Sequence, residues 1–289
     1  MKNIFDNISK KELSNLVGEN VQTYAVSENG NSYTCFVNRS YIIKVPFNKK
    51  TAISLRREIN LANILKKCVL SAQTPAWRYV DLSHISQDTL PKYAAFCAVA
   101  PLIEGEHPDT LDTPLLTFSL GSFLAELHKI PAIAFSGVAA TYIDVEFDYM
   151  LDTWEKEKRH KGVEKTKWKQ FKKYLRNTVL TRANKIYIHQ HYPVLTHADL
   201  HVGNVLVNNK GWLSGVLDFG NAVLSPSPQD IISAGAWLRH GNILVNSYYG
   251  KMGARVNAEE KQQKAWKLVS QMNKSADRML AQFLEKERG

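Results

Sequence analysis

The chain has 289 residues, and its 37 Lys and Arg outnumber 27 Asp and Glu for a formal net charge of +10. With 44% hydrophobic and 10% aromatic residues it is too apolar to be mainly disordered, and it is long enough for one large domain or two lobes, each with a core. The net charge invites a nucleic acid or an anionic surface as partner, but its distribution argues otherwise. Residues 104–157 hold 11 acidic and 2 basic side chains, whereas residues 158–185 hold 11 basic and 1 acidic. One short segment therefore matches the whole excess, and the chain is polarised rather than uniformly basic. The N-terminus has no apolar stretch behind its basic residues, and the longest near-apolar run, residues 93–103, is too short to cross a bilayer. Neither a secretory leader nor a membrane partner is expected. Cys35, Cys68 and Cys97 form no C-x-x-C pair and read as reduced, packed thiols of a cytoplasmic protein.

In chain order, residues 21–26 and 33–37 alternate as strands around Ser27-Glu28-Asn29-Gly30-Asn31-Ser32, whose Asn-Gly step is a hairpin signal. Residues 41–45 form a third strand, stopped by Pro46. Residues 51–70 read as a helix, with Ile53, Leu61, Ile64 and Leu65 near helical spacing, and the apolar runs 77–82 and 93–99 complete an antiparallel sheet. Beyond Pro101 the pattern turns helical. Leu116, Leu120, Phe123, Leu124 and Leu127 mark the buried face of a helix over 115–129, ended by Pro131. A long helical region covers 147–191, short strand-like runs occupy 194–206 and 213–217, and residues 231–284 are mostly helical. The predicted architecture is α+β and bilobal: a small antiparallel β lobe over residues 1–100 and a larger, mostly helical lobe over 101–289.

Two segments carry chemistry. His197-Ala198-Asp199-Leu200-His201-Val202-Gly203-Asn204 has the form H-x-D-x-x-x-x-N, and Asp218-Phe219-Gly220 follows 14 residues after the Asn. Each comes just after an apolar run, which puts the polar groups at strand ends. Phosphoryl transfer to a hydroxyl needs a carboxylate to orient the attacking group, for which Asp199 is suited, and hard oxygen ligands for Mg²⁺, which Asn204 and Asp218 supply. Lys44 sits centrally in an apolar strand, and Glu58 follows in the helix. A strand lysine held by a helix glutamate aims an ammonium at the nucleotide phosphates.

With these residues in place the chain resembles the aminoglycoside phosphotransferases, kinase-like enzymes that modify small molecules. The match takes in Lys44, Glu58, the turn at Ile103-Glu104-Gly105-Glu106, residues 120–128, and the HADLHVGN and LDFGNA segments. The family's usual catalytic segment is H-G-D-L-H-x-x-N, and Ala198 replaces its glycine. The resemblance implies a bilobal protein-kinase-like fold, ATP or GTP as co-substrate, Mg²⁺, and antibiotic resistance as the biological role. Carried over position by position, it makes Asp199 the catalytic base and Asn204 and Asp218 the magnesium ligands, with His197 holding its loop by hydrogen bonding. The nucleotide loop departs from G-x-G-x-x-G, having only Gly30, so backbone N–H groups and Ser27 or Ser32 are expected to contact phosphate. By the same resemblance the Pro101 carbonyl and the Ile103 N–H meet the base. Asp230, four residues after Pro226, ties the catalytic loop from below or serves as an ordinary helix N-terminal acid. A protein kinase is disfavoured, because no Arg precedes Asp199, no A-P-E follows, and only eleven residues separate Asp218 from Asp230.

The acidic block suggests the acceptor. Asp144, Glu146, Asp148 and Asp152, beside Tyr142, Phe147, Tyr149 and Trp154, would attract a cationic small molecule. An aminoglycoside is the first choice; choline, homoserine, a macrolide or a sugar stay open, as does a catalytically idle kinase-like binding protein. The basic segment 156–185, with Trp168, Phe171 and Tyr174 at helical spacing, reads as an exposed face with an aromatic underside, and no nucleic-acid partner is expected from it.

Overall fold

The computed structural model describes residues 4–27, 32–83, 85, 93–108, 113–225, 229–252 and 258–288. In chain order these hold α1 (Lys10–Val17), β1 (Tyr24–Ser27), β2 (Ser32–Val37), β3 (Tyr41–Pro46), α2 (Lys49–Leu65), β4 (Arg78–Asp81), β5 (Phe96–Pro101), α3 (Pro114–Lys129), β6 (Ala140–Thr141), α4 (Tyr142–Lys156), α5 (Lys165–Leu175), α6 (Thr181–Gln190), β7 (Val194–Thr196), β8 (Val205–Val207), β9 (Leu213–Val216), β10 (Val223–Ser225), α7 (Gln229–Gly235), α8 (Gly241–Met252) and α9 (Ala258–Arg288). The predicted Asn29-Gly30 turn and Pro226 lie outside the described residues.

The first five strands form one antiparallel sheet in the order β1-β2-β3-β5-β4. Alternation along the strands assigns its two faces. Cys35, Val37, Ile43, Val45, Cys97 and Val99 point outward and are covered by Ile4, Phe5 and Ile8 and by Leu13, Leu16 and Val17 of α1. Phe96, Ala98, Ala100 and Ile42 point the other way, onto Leu55, Ile59 and Ala62 of α2 and onto Trp77. Lys44 shares the parity of Ile42 and so lies on the α2 side. Burial pushes the Cys35 and Cys97 thiols up to about 12, as befits packed, unpaired cysteines.

Helix α2 starts two residues earlier than the pattern predicts, because Asn48 and Thr51 form a reciprocal cap, and it ends at Leu65 rather than at residue 70. Ile53, counted with its buried face, is 53% exposed. Leu61 and Leu65 pass beyond the sheet and join a cluster with Leu120, Phe123, Leu124, Leu200, Val216 and Phe219. One helix thus belongs to the cores of both lobes. In that second core α3 lies against α8 at Gly121, where a Cβ would fall 2.7 Å from the Leu244 carbonyl. The region expected as one long helical stretch is α4, α5, a π-helical turn over Arg176–Leu180, and α6; with α9 these build a separate core around Phe147, Trp154, Trp168, Phe171 and Tyr187. Trp168 and Phe171 are the buried underside predicted for the basic segment, while Tyr174 is exposed. Among the described residues no helix is long and apolar enough to cross a membrane.

Candidate active site

The chemistry-bearing residues meet at one end of the β8–β9 hairpin. Asn204 immediately precedes β8, Asp218 follows β9, and the Leu217 N–H donates to the Asn204 carbonyl at 2.8 Å, so the hairpin closes with both side by side. Asp199 is reached from β7, which pairs antiparallel with β10, the strand that leaves the Asp218 turn. Lys44, Glu58, Asp199 and Asp218 then line a single cavity of about 270 Å³, together with Ser32, Thr34, Thr51, Ser54, Leu55 and Asn221.

Lys44 Nζ lies 3.5 Å from Glu58 Oε2. Glu58 is buried, and its other oxygen accepts from Trp77 Nε1 at 2.8 Å, while the Trp77 ring lies under the Lys44 ammonium at 5.0 Å. Burial pushes the Glu58 carboxyl up from its ordinary value, the negative Asp218 adds to this, and Lys44 pulls against both. Trp77 escaped the sequence reading, since nothing in its neighbourhood along the chain points to Glu58.

The loop over residues 197–204 is braced from three sides. Ala198 has φ +62°, in the left-handed region that favours glycine, which gives a physical reason for a glycine in the resembled motif. Asp230, buried at the start of α7, accepts from the His197 N–H at 2.7 Å and the Ala198 N–H at 3.1 Å, and its Oδ2 lies 3.4 Å from His128 Nε2. His128 Nδ1 in turn pairs with the Tyr248 hydroxyl at 2.8 Å. Burial alone would raise the Asp230 carboxyl, but hydrogen bonds and electrostatic attraction from His128 and His197 hold it below its ordinary value. His197 accepts from the Asp199 N–H at Nδ1, 3.3 Å away, and its Nε2–H donates to the Leu217 carbonyl at 2.6 Å. The ring thus joins the two motifs and is not among the residues lining the cavity.

Asn204 donates its Nδ2 to the Asp199 carbonyl at 2.9 Å and lies 3.1 Å from His201 Nε2, and these two contacts leave Oδ1 as the acceptor end of the amide. His201 is a further residue without an assigned role in the sequence reading. Among the described residues no three His, Cys, Asp or Glu side chains converge as a metal site. A cation here would rest on Asp218, Asn204 and oxygens of nucleotide and water, the ligand set that Mg²⁺ accepts. At the edge of the first sheet, the Leu102 N–H donates to the Ser40 carbonyl at 2.8 Å, so by strand alternation the Pro101 carbonyl and the Ile103 N–H face the opposite side, beyond the start of β4. Ser27 and Ser32 end β1 and open β2, flanking residues outside the described set.

Three of the four candidate carboxylates of the acidic block have partners within the chain. Asp144 is the third residue of a capping box with Thr141, and its Oδ1 also accepts from Asn184 Nδ2 at 2.7 Å. Asp148 pairs with Arg176 at 2.6 Å, Glu146 bonds the Tyr142 hydroxyl, and Asp152 is exposed on α4. Glu155 pairs with Lys172 and accepts from Trp168 Nε1 at 3.2 Å. Arg159 bridges Glu157 and Asp277, and Lys167 reaches Glu287 at 2.7 Å. Three ion pairs, Asp148–Arg176, Glu155–Lys172 and Glu157–Arg159, thus join the acidic segment to the basic one among the described residues. For Asp144 and Asp148, α4 has a structural use that the sequence reading did not foresee.

The family comparison falls here. The model of the phosphotransferase enzyme family (APH) matches residues 18–260, and the chain belongs to that family. Among solved structures, the GDP complex of wild-type aminoglycoside 2'-phosphotransferase-IIIa is similar over 100% of this chain and 98% of that one, at 18% identity and a TM-score of 0.58. The gentamicin complex of APH(2")-IIa covers 99% and 95% at 20% identity and 0.57. The macrolide 2'-phosphotransferase MphH of Brachybacterium faecium covers 93% and 96% at 17% identity and 0.56. At these identities the likeness carries the fold, a β-sheet lobe joined to a helical lobe. A comparison with curated proteins returns no match.

Proposed function

We propose that this chain transfers the γ-phosphoryl group of ATP or GTP to a hydroxyl of a small cationic molecule, with an aminoglycoside as the first choice of acceptor. One observation carries the reading: Lys44 with Glu58, Asp199 and Asp218 line one cavity, and Asn204 is locked beside it. Residues 1–100 hold the nucleotide and residues 101–289 supply the catalytic loop and the acceptor wall. The Pro101 carbonyl and Ile103 N–H take the base, while Lys44 and the hydroxyls of Ser27 and Ser32 take the phosphates. Asp199 orients the acceptor hydroxyl and accepts its proton as the new oxygen–phosphorus bond forms; the bond to the β,γ-bridging oxygen breaks, and nucleoside diphosphate leaves. Asn204 and Asp218 would hold Mg²⁺, which supplies charge neutralisation on the phosphate oxygens. We place the enzyme in the cytoplasm, consistent with its unpaired thiols.

The acceptor assignment draws on the relatives, which include aminoglycoside and macrolide phosphotransferases, and on Glu146 and Asp152, the two of the four candidates on α4 that take part in neither the helix cap nor the ion pair with Arg176. A coupled nucleotide-turnover screen over aminoglycosides, macrolides, choline, homoserine and sugars, with both ATP and GTP, tests it. Turnover stimulated by an aminoglycoside supports the reading, and stimulation by another acceptor alone redirects it. No turnover with any pair would leave the idle binding protein.

A further inference from the structure

The carboxylate of Asp199 receives a hydrogen bond from the other motif. Asn221 Nδ2 donates to Asp199 Oδ2 at 3.2 Å, and among the described residues Asn221 is the only side chain hydrogen-bonded to that carboxylate. The backbone of Asp199 is anchored separately, its N–H by His197 and its carbonyl by Asn204. Those two bonds fix where the residue sits but not how its carboxylate is turned.

Asn221 is itself held. It closes the short 3-10 turn Phe219–Asn221, which starts from Asp218 at φ +61° and ends with the Ala222 N–H donating to the Phe219 carbonyl at 3.1 Å. Helix α2 rests on this turn. Ser54 Oγ donates to the Gly220 carbonyl at 3.2 Å, and a Cβ on Gly220 would fall 2.5 Å from that hydroxyl. The helix that carries Glu58 is therefore seated one residue from the amide that reaches Asp199, and both Ser54 and Asn221 line the cleft cavity.

We propose that Asn221 is a positioning residue for phosphoryl transfer: it holds Oδ2 of Asp199 so that Oδ1 faces the acceptor hydroxyl, and it ties this orientation to the seating of α2 on the Asp218 turn. The proposal rests on Asp199 being the group that meets the acceptor. The aspartate variant of this residue discriminates best, because it keeps the shape of the side chain while removing the donor and placing a like charge beside Asp199.

The test compares wild type, Asn221→Ala, Asn221→Asp, Asn221→Gln and Asp199→Ala by steady-state transfer and thermal melting. In Asn221→Ala, kcat should fall about tenfold or more, as misplacement of a reacting group does, with nucleotide KM within about twofold of wild type and an unchanged melting temperature. Asn221→Asp should fall at least as far, and Asn221→Gln, which keeps an amide donor, should recover part of the loss. Wild-type kcat in Asn221→Asp alongside an inactive Asp199→Ala would overturn this proposal alone. So would a loss that tracks a lower melting temperature or weaker nucleotide binding, which marks a structural role. Absence of turnover in the wild type would overturn the underlying reading and this proposal with it.

Discussion

Replacing Asp230 with Asn removes a charge but hardly any volume from a point where the His197 and Ala198 N–H groups and the His128 ring converge. A neutral amide offers one acceptor oxygen and turns an NH₂ group toward a donor. At least one N–H loses its partner, and the surviving contacts lose their charge-assisted strength of about 1.5–3 kcal/mol each. We expect a loss of about 2–4 kcal/mol, or about 4–12 °C in melting temperature for a chain of this size. The same carboxylate holds Ala198 at φ +62°, a conformation that costs about 1–2 kcal/mol outside glycine. Since the loss exceeds that cost, Ala198 can relax toward negative φ and carry Asp199 with it, and a displacement of about 1 Å costs on the order of 100-fold in rate. Calorimetry and steady-state turnover measure the two effects. The pH dependence adds an internal check. Asp230 titrates below its ordinary value in the folded chain, so its contribution is present above the unfolded carboxylate pKa of about 4 and is lost as pH falls through the folded value. The stability gap between wild type and Asp230→Asn should therefore narrow in acid. A variant that melts and turns over like wild type at pH 7 would refute this view of how the loop is held.

Three further outcomes are expected. Ala198→Gly should stabilise the chain by up to about 1 kcal/mol, since relief of the left-handed strain is partly offset by the freedom glycine has when unfolded, and kcat should be retained; calorimetry and turnover read this. Trp77→Phe removes the donor to buried Glu58 Oε1, and we expect weaker nucleotide binding by about tenfold in titration calorimetry, from about 1–3 kcal/mol of unsatisfied carboxylate; unchanged affinity would mean that Glu58 holds Lys44 unaided. Asp148→Asn breaks an ion pair whose side chains are 57% and 45% exposed, so stability should change by less than about 1 kcal/mol and acceptor KM should stay put, whereas Asp152→Asn should raise acceptor KM; the reverse pattern in acceptor kinetics would return Asp148 to the acceptor wall.

The residues proposed for phosphoryl transfer were legible, because that reaction demands particular functional groups at particular spacings. Asp199, Asn204 and Asp218 had no bland alternative once seen in order, and Lys44 was conspicuous in an apolar strand. Residues that act through tertiary neighbours were not legible. Trp77 meets Glu58 across 19 positions and Asn221 meets Asp199 across 22, with no local pattern to announce either contact. Helix α1 was missed although Ser9 and Glu12 form a capping box, because eight residues show too little periodicity. Strands β6 and β10, of two and three residues, owe their existence to pairing rather than to propensity. The charge pattern shows the difference most clearly. Composition displayed an acidic and a basic segment, but only the packing of α4 against α5 and the π-helical turn shows Asp148 meeting Arg176 and Glu155 meeting Lys172. The +10 excess describes the chain and says little about its acceptor.

The central claim is that Asp199 and Asp218 serve one transfer reaction in a shared cleft. Its most direct test is phosphoryl transfer from γ-labelled ATP or GTP to the acceptor found in the screen, by wild type, Asp199→Ala and Asp218→Ala, with melting temperature measured on each. We expect labelled acceptor from the wild type and a loss on the order of 10³-fold or more in both variants, which should stay folded. Wild-type labelling rates in both variants would contradict the account.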